Sequence, residues 1–246
     1  MEKSNSAETR LKRSMTRKAG MLWLVGTVQF ILVMIIAQLA YSCSNYGGCY
    51  NALSNPISNL GSAGMANGNP AYFTYLGQHI AWPTSSLWFV FNYSIVLFGV
   101  LIIAGLFLVG YAFREGLAKS IWMVVLGLVA LGVMGVGIFP EDTLLSIHSL
   151  SALMSFVGSG ISLLLVAAAM HGDRRWSAKW INYTIISGIF SLAAVVVFFF
   201  PSLGLMPQWP LWGNSFGFGG MERLISAPIL LWLILIPIKL IKDNSS

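Results

Sequence analysis

The stretch FPEDTLLSIHS (139–149) places Glu141, Asp142 and His148 within a few residues of one another, in a chain with only eight acidic residues and three histidines. A carboxylate beside an imidazole is a pairing suited to general acid–base catalysis. His148 and Asp142 are therefore the candidate catalytic pair. A second concentration is GGMERLISAP, where Glu222 and Arg223 are adjacent. Guanidinium matches phosphate and carboxylate geometry, which makes Arg223 a candidate anion clamp. Neighbours on a helix point about 100° apart, so Glu222 and Arg223 are poorly placed to pair with each other. Arg223 is expected to reach Asp142 or Glu141 instead. The third concentration is NALSNPISNLGSAG. Asn55, Ser58 and Asn59 there offer amides and a hydroxyl to a polar headgroup or to helix ends.

Each feature also has a plainer reading. Asp142 or Thr143 can cap the helix that follows. Asn55 before Pro56 suits a turn or a helix start. His148 can be a satisfied histidine between helices, and an Arg–carboxylate pair can simply lock two helices together. Ser151, Ser155 and Gly158 follow His148 at helical spacing. Small residues there let a neighbouring helix approach closely, which turns His148 into the bundle. Zinc could draw on His79, His148, Glu141, Asp142 and Glu222, but the spacing matches no HExxH-like signature. Ser146, Ser149 or Ser151 could join His148 in a hydrolase, but no GxSxG elbow is present. The residues leave both the cofactor and catalysis open.

The elements that must hold these groups are membrane helices. Hydrophobic residues make up 57% of the chain and charged residues 9%, against about 25% charged in a soluble domain. Six apolar runs reach the roughly 20 residues that a spanning helix needs. They are 20–41, 86–111, 121–139, 146–170, 181–200 and 221–240. The expected fold is an all-α integral membrane protein, a six-transmembrane-helix bundle between tails at 1–19 and 241–246. The first run is too long for a signal-peptide core of about 7–15 residues and lacks a clear cleavage site.

Charge sets the orientation. The N-terminal tail holds six basic residues, and the second-to-third connection holds Arg114 and Lys119. The fourth-to-fifth holds Arg174, Arg175 and Lys179, and the C-terminal end Lys239 and Lys242. Only Arg223 of the fourteen falls on the other face. The positive-inside rule makes the basic face, and both termini, cytoplasmic. The same distribution argues against nucleic acid as a partner. It puts the protein in the cell membrane and all three candidate segments on the extracytoplasmic side. Cys43 and Cys49 in CSNYGGC fall there too and are disulfide candidates. Trp82, Trp88, Trp209 and Trp212 suit an outer aromatic belt, and Trp122, Trp176 and Trp180 an inner one.

NPISNLG, GIFPED followed by IHSLSA, and GGMERLISAPILLW resemble a family of prokaryotic six-helix membrane proteins, the domain-of-unknown-function family numbered 998. The matching residues are Asn55, Ser58, Gly61, Pro140, Asp142, His148, Glu222 and Arg223. The plan is more distantly similar to the Frag1, DRAM and Sfk1 membrane proteins, some of which are linked to lipid organisation. That resemblance implies lipid as a partner and carries over no catalytic residue. The expected function is an outer polar pocket that binds or modifies a lipid headgroup. The rival readings are a transporter of a small polar solute, for which the spans offer few polar residues, and a non-enzymatic scaffold or assembly subunit.

Overall fold

A computed structural model describes residues 2–41, 50–53, 55–66, 69–70, 72–75, 78–81, 84–202 and 217–244. Six long helices carry the fold: α1 Glu2–Leu39, α2 Trp88–Val109, α3 Leu117–Ile138, α4 Leu145–Met170, α5 Ala178–Ser202 and α6 Phe218–Asp243. The shortest have 22 residues, about 33 Å at 1.5 Å per residue, against a hydrocarbon core of about 30 Å. All six are long and apolar enough to cross a membrane. The protein is an all-α membrane bundle, as its composition requires. α1 continues back through the basic tail to Glu2.

Consecutive helices pack side by side, and α6 closes on α1. The result is a ring in chain order, which local antiparallel contacts build without long crossovers. A helix keeps its backbone hydrogen bonds within itself, so it can face lipid all round. Tyr93, Phe107 and Ile186 accordingly point outward.

Inside the ring, Trp23 of α1 is fully buried and donates its indole N–H to the Ile102 carbonyl at 2.9 Å. Trp122 meets it edge-on at 6.4 Å, and Trp232 lies 6.0 Å away. Trp122 and Trp176 are thus core residues, 0% and 5% exposed, and not part of an inner interfacial belt. Trp176 stacks on Phe113 at 5.4 Å and donates to the Ala112 carbonyl. Trp88 is 40% exposed, as a belt residue should be. Trp82, Trp209 and Trp212 lie outside the described residues, as do Cys43 and Cys49.

The expected small-residue seam below His148 joins α4 to α3. A Cβ on Gly132 would sit 2.7 Å from Ser155 Oγ and 2.8 Å from the Ser151 carbonyl oxygen. Gly132→Ala should therefore cost about 1–3 kcal/mol, read as a lower unfolding midpoint in detergent. Gly127→Ala is the control. Its Cβ would meet only Leu106 Cδ2, at 3.8 Å, and the midpoint should hardly move.

The first loop is more structured than the sequence suggests. A 3-10 turn spans Ser58–Gly61. Two antiparallel hairpins follow, β1 Met65–Ala66 with β2 Asn69–Pro70, and β3 Tyr72–Tyr75 with β4 Gln78–Ala81. β3 is YFTY, all residues of high strand propensity. Asn92, one turn into α2, donates from Nδ2 to the Gly61 carbonyl at 2.9 Å and ties the turn to the bundle.

Candidate functional site

The three candidate segments meet at the loop-bearing end of the ring. The first loop supplies Tyr50 and Asn51 to Gly61, the α3–α4 turn supplies Glu141 and Asp142, α4 supplies His148, and α6 supplies Glu222 and Arg223.

The loop docks directly on the start of α6. The amides of Gly217 and Gly220 donate to the Leu53 carbonyl at 2.9 and 2.7 Å. The Ile57 amide donates to Glu222 Oε2 at 2.6 Å. Arg223, expected to reach Asp142 or Glu141, turns elsewhere. Its Nη1 donates to the carbonyls of Asn55 (3.2 Å) and Gly219 (2.9 Å), and its Nη2 to the Tyr50 hydroxyl (2.7 Å). Its guanidinium also lies 5.7 Å from the centre of the Tyr50 ring. Tyr50 in turn donates towards the Asn55 and Pro56 carbonyls at 3.2 and 2.9 Å. Burial pushes its phenol up to about 12, with Arg223 acting against that.

Asn55 is a turn residue. Its Oδ1 accepts from the Asn51 amide at 2.8 Å. The expected helix start at Pro56 is displaced to Ser58, and Asn59 is buried within the short turn. The expected side-chain cap on α4 does not form either. Leu144 holds the cap position, and no side chain bonds there. Thr143 donates from Oγ1 to the Pro140 carbonyl at 3.0 Å, closing the turn on itself.

His148 is 7% exposed and faces into the bundle. Its Nδ1 is 2.9 Å from the Phe139 carbonyl, which fixes the ring against the end of α3. Asp142, also buried, lies close enough to act on it electrostatically. Ser151 donates to the Ile147 carbonyl at 2.8 Å and not to His148, so it is not set up as a nucleophile. Glu141 is 6% exposed. Burial pushes its carboxyl up to about 8. A hydrogen bond from the Ser58 hydroxyl opposes that shift, and the charges of Glu222 and Asp142 add to it. Its Oε1 has no hydrogen-bond partner among the described residues.

Below this polar end the ring encloses a cavity of about 100 Å³. At about 30 Å³ per water in the liquid, it has room for roughly three water-sized groups. Its walls are Phe30, Phe91, Phe98, Val133 and Ile225 among others. Ser58, His148 and Glu222 bring polar atoms to it at the loop end, and Ser155 and Ser159 further down. Among the described residues no three His, Cys, Asp or Glu side chains converge as metal ligands. The side chain of His79, on β4, is outside the described set.

Sequence reasoning missed Tyr41 and Tyr50, whose rings lie 5.1 Å apart, and the role of Gly219, against which the loop backbone packs. Asn92 was legible as a polar residue within a span, but its role as a loop fastener was not.

No curated protein and no solved structure matches the chain. The profile of one family, described as a protein of unknown function (DUF998), matches residues 24–238. That stretch runs from the middle of α1 nearly to the end of α6 and includes every residue of the site, so the chain belongs to the DUF998 family.

Proposed function

We propose that the protein binds part of a lipid-like amphiphile in the central cavity, with the polar head at the loop end. The observation that carries this is the shape of the cavity's chemistry. Its walls are phenylalanine and branched aliphatic side chains, while Ser58, His148 and Glu222 converge at one end. Few precisely placed polar groups on an apolar wall are what small-molecule sites share. The volume admits a headgroup or the end of one acyl chain, and the rest of a lipid would lie outside the ring. With the basic face cytoplasmic, the polar end is extracytoplasmic and the protein resides in the cell membrane. A bound headgroup would meet His148, on which Asp142 acts electrostatically.

The head-binding role moves away from Arg223. Three of its N–H groups already engage Asn55, Gly219 and Tyr50, so it holds the loop that covers the site. That observation also favours a second reading. If the polar cluster only fastens the loop, the protein is a scaffold and the cavity binds nothing.

Native mass spectrometry in gentle detergent separates the two. Ala152 lines the cavity, and Ala152→Phe should fill it. The wild type should retain a lipid mass, and the variant should lose at least about ten-fold in occupancy while keeping its fold, since the added ring enters existing space and the remaining strain is about 1–3 kcal/mol. A bare wild type, or equal retention by a folded variant, would leave the scaffold reading standing.

A further inference from the structure

We infer that the buried corner formed by Glu141, Glu222, Tyr41 and Tyr50 is a binding site for a primary ammonium group, carried by an aminolipid headgroup or by a soluble amine. The inference rests on the cavity reading above and names the chemistry of the head.

Two buried polar atoms in this corner lack partners among the described residues, Oε1 of Glu141 and the hydroxyl of Tyr41. Both side chains are more than nine-tenths buried, at 6% and 8% exposed. They belong to one corner: Glu141 acts electrostatically on both tyrosines, Glu222 acts on Glu141, and the rings of Tyr41 and Tyr50 are 5.1 Å apart. Buried polar atoms left unmatched are unusual in a folded protein. A carboxylate and phenol oxygens accept hydrogen bonds, and a primary ammonium brings three donors. Tyrosine faces also attract cations.

The surrounding charges agree. Asp142 lies beside Glu141 on the turn, and Glu222 and Arg223 come from α6. Ser58 and Tyr50 come from the first loop, Tyr41 from the end of α1, and His148 from α4. Three carboxyl groups stand here against one guanidinium, and that guanidinium is directed at Asn55, Gly219 and Tyr50. Ser58 bonds Glu141 and, like Glu222, also lines the cavity, so the corner adjoins the cavity's polar end.

Proton linkage supplies the signature. Burial holds the Glu141 carboxyl up at about 8, so the empty corner is protonated at neutral pH. An arriving ammonium favours the ionised form and displaces that proton to solvent. Binding should therefore tighten about ten-fold per pH unit below pH ~8 and level off above it.

The test titrates the full-length protein in detergent with phosphatidylethanolamine and with phosphatidylcholine of the same chains, at about pH 6, 7 and 8. Phosphatidylethanolamine should bind about ten-fold more tightly than phosphatidylcholine at the highest pH and show the slope; a quaternary head donates no hydrogen bond. Glu141→Gln should erase both the slope and the preference. Tyr41→Phe, which keeps the ring, should reduce the preference and retain the slope. Free ethanolamine binding with the same slope would support a soluble amine as the source, and its silence beside bound phosphatidylethanolamine would support the aminolipid. If both lipids bind alike without a slope, the ammonium site is wrong and the cavity reading survives. If ethanolamine binds and neither lipid does, the cavity reading fails and the ammonium site survives. If nothing binds, both fail.

Discussion

Replacing Gly219 by alanine is expected to undock the first loop from α6 and empty the site. A Cβ at this position would lie 2.1 Å from the Asn55 carbonyl oxygen and 2.7 Å from that of Ala52. Neither atom is the tip of a flexible side chain, so relief requires the loop backbone to move. The loop is held by the bonds from Gly217 and Gly220 to Leu53, from Ile57 to Glu222 and from Arg223 to Asn55. Neutral hydrogen bonds contribute about 1 kcal/mol each and those to charged groups about 1.5–3. Overpacking alone costs about 1–3 kcal/mol, and lost docking bonds would add to that. The unfolding midpoint should fall by on the order of 10 °C. Limited proteolysis should cut between α1 and α2 faster in the variant than in the wild type. Lipid retention should disappear along with the loop. A variant that keeps its midpoint and its protease resistance would show that the loop has room to spare, and Arg223 would then need another explanation.

The parts of this arrangement that the sequence discloses follow from period and composition. Six apolar runs give six helices because a membrane allows a spanning chain no other local choice short of a barrel. Ser151 and Ser155 announce a close helix seam because small side chains at helical spacing do little else. Asn55, Ser58, Glu222 and Arg223 stand out as polar groups in apolar surroundings, and they do come together. Their partners are a different matter. Arg223 bonds a carbonyl 168 residues away, and a backbone carbonyl carries no side-chain signature. Charge complementarity therefore pointed to Asp142 or Glu141, while the geometry chose the loop backbone. Nothing in the local sequence singles out Tyr41 and Tyr50, which come together only when the first loop docks. The missing cap on α4 has a local origin instead: Leu144 takes the cap position, and the Thr143 hydroxyl is engaged in its own turn, donating to the Pro140 carbonyl. Local chemistry is thus visible in the chain, whereas contacts made through backbone atoms of distant loops are not.

Stability should fall as the pH rises from about 5 to 8, and Glu141→Gln should flatten that fall. The carboxyl of Glu141 moves from an ordinary value of 4.5 to about 8 on folding. Between those values the folded protein holds a proton that the unfolded chain has released. The contribution is thus complete below the unfolded value and is lost as pH rises through the folded one, at up to about 1.4 kcal/mol per pH unit. Tyr50 titrates well above this window, at about 12. Asp173, held below its ordinary range by Arg175, changes stability only in acid, well below this window. Glutamine keeps the volume and the bond to Ser58 without an ionisable proton. The variant should match the wild type near pH 5 and exceed it near pH 8, and superimposable profiles would place Glu141 in a wetter setting than its burial implies. Ligand reverses the trend. An ammonium in the corner stabilises the ionised carboxyl, so its protection of the folded state grows with pH while the empty protein weakens. The gap between loaded and empty midpoints should therefore be widest near pH 8 and should narrow in Glu141→Gln, which lacks the ionisable group that the ammonium stabilises.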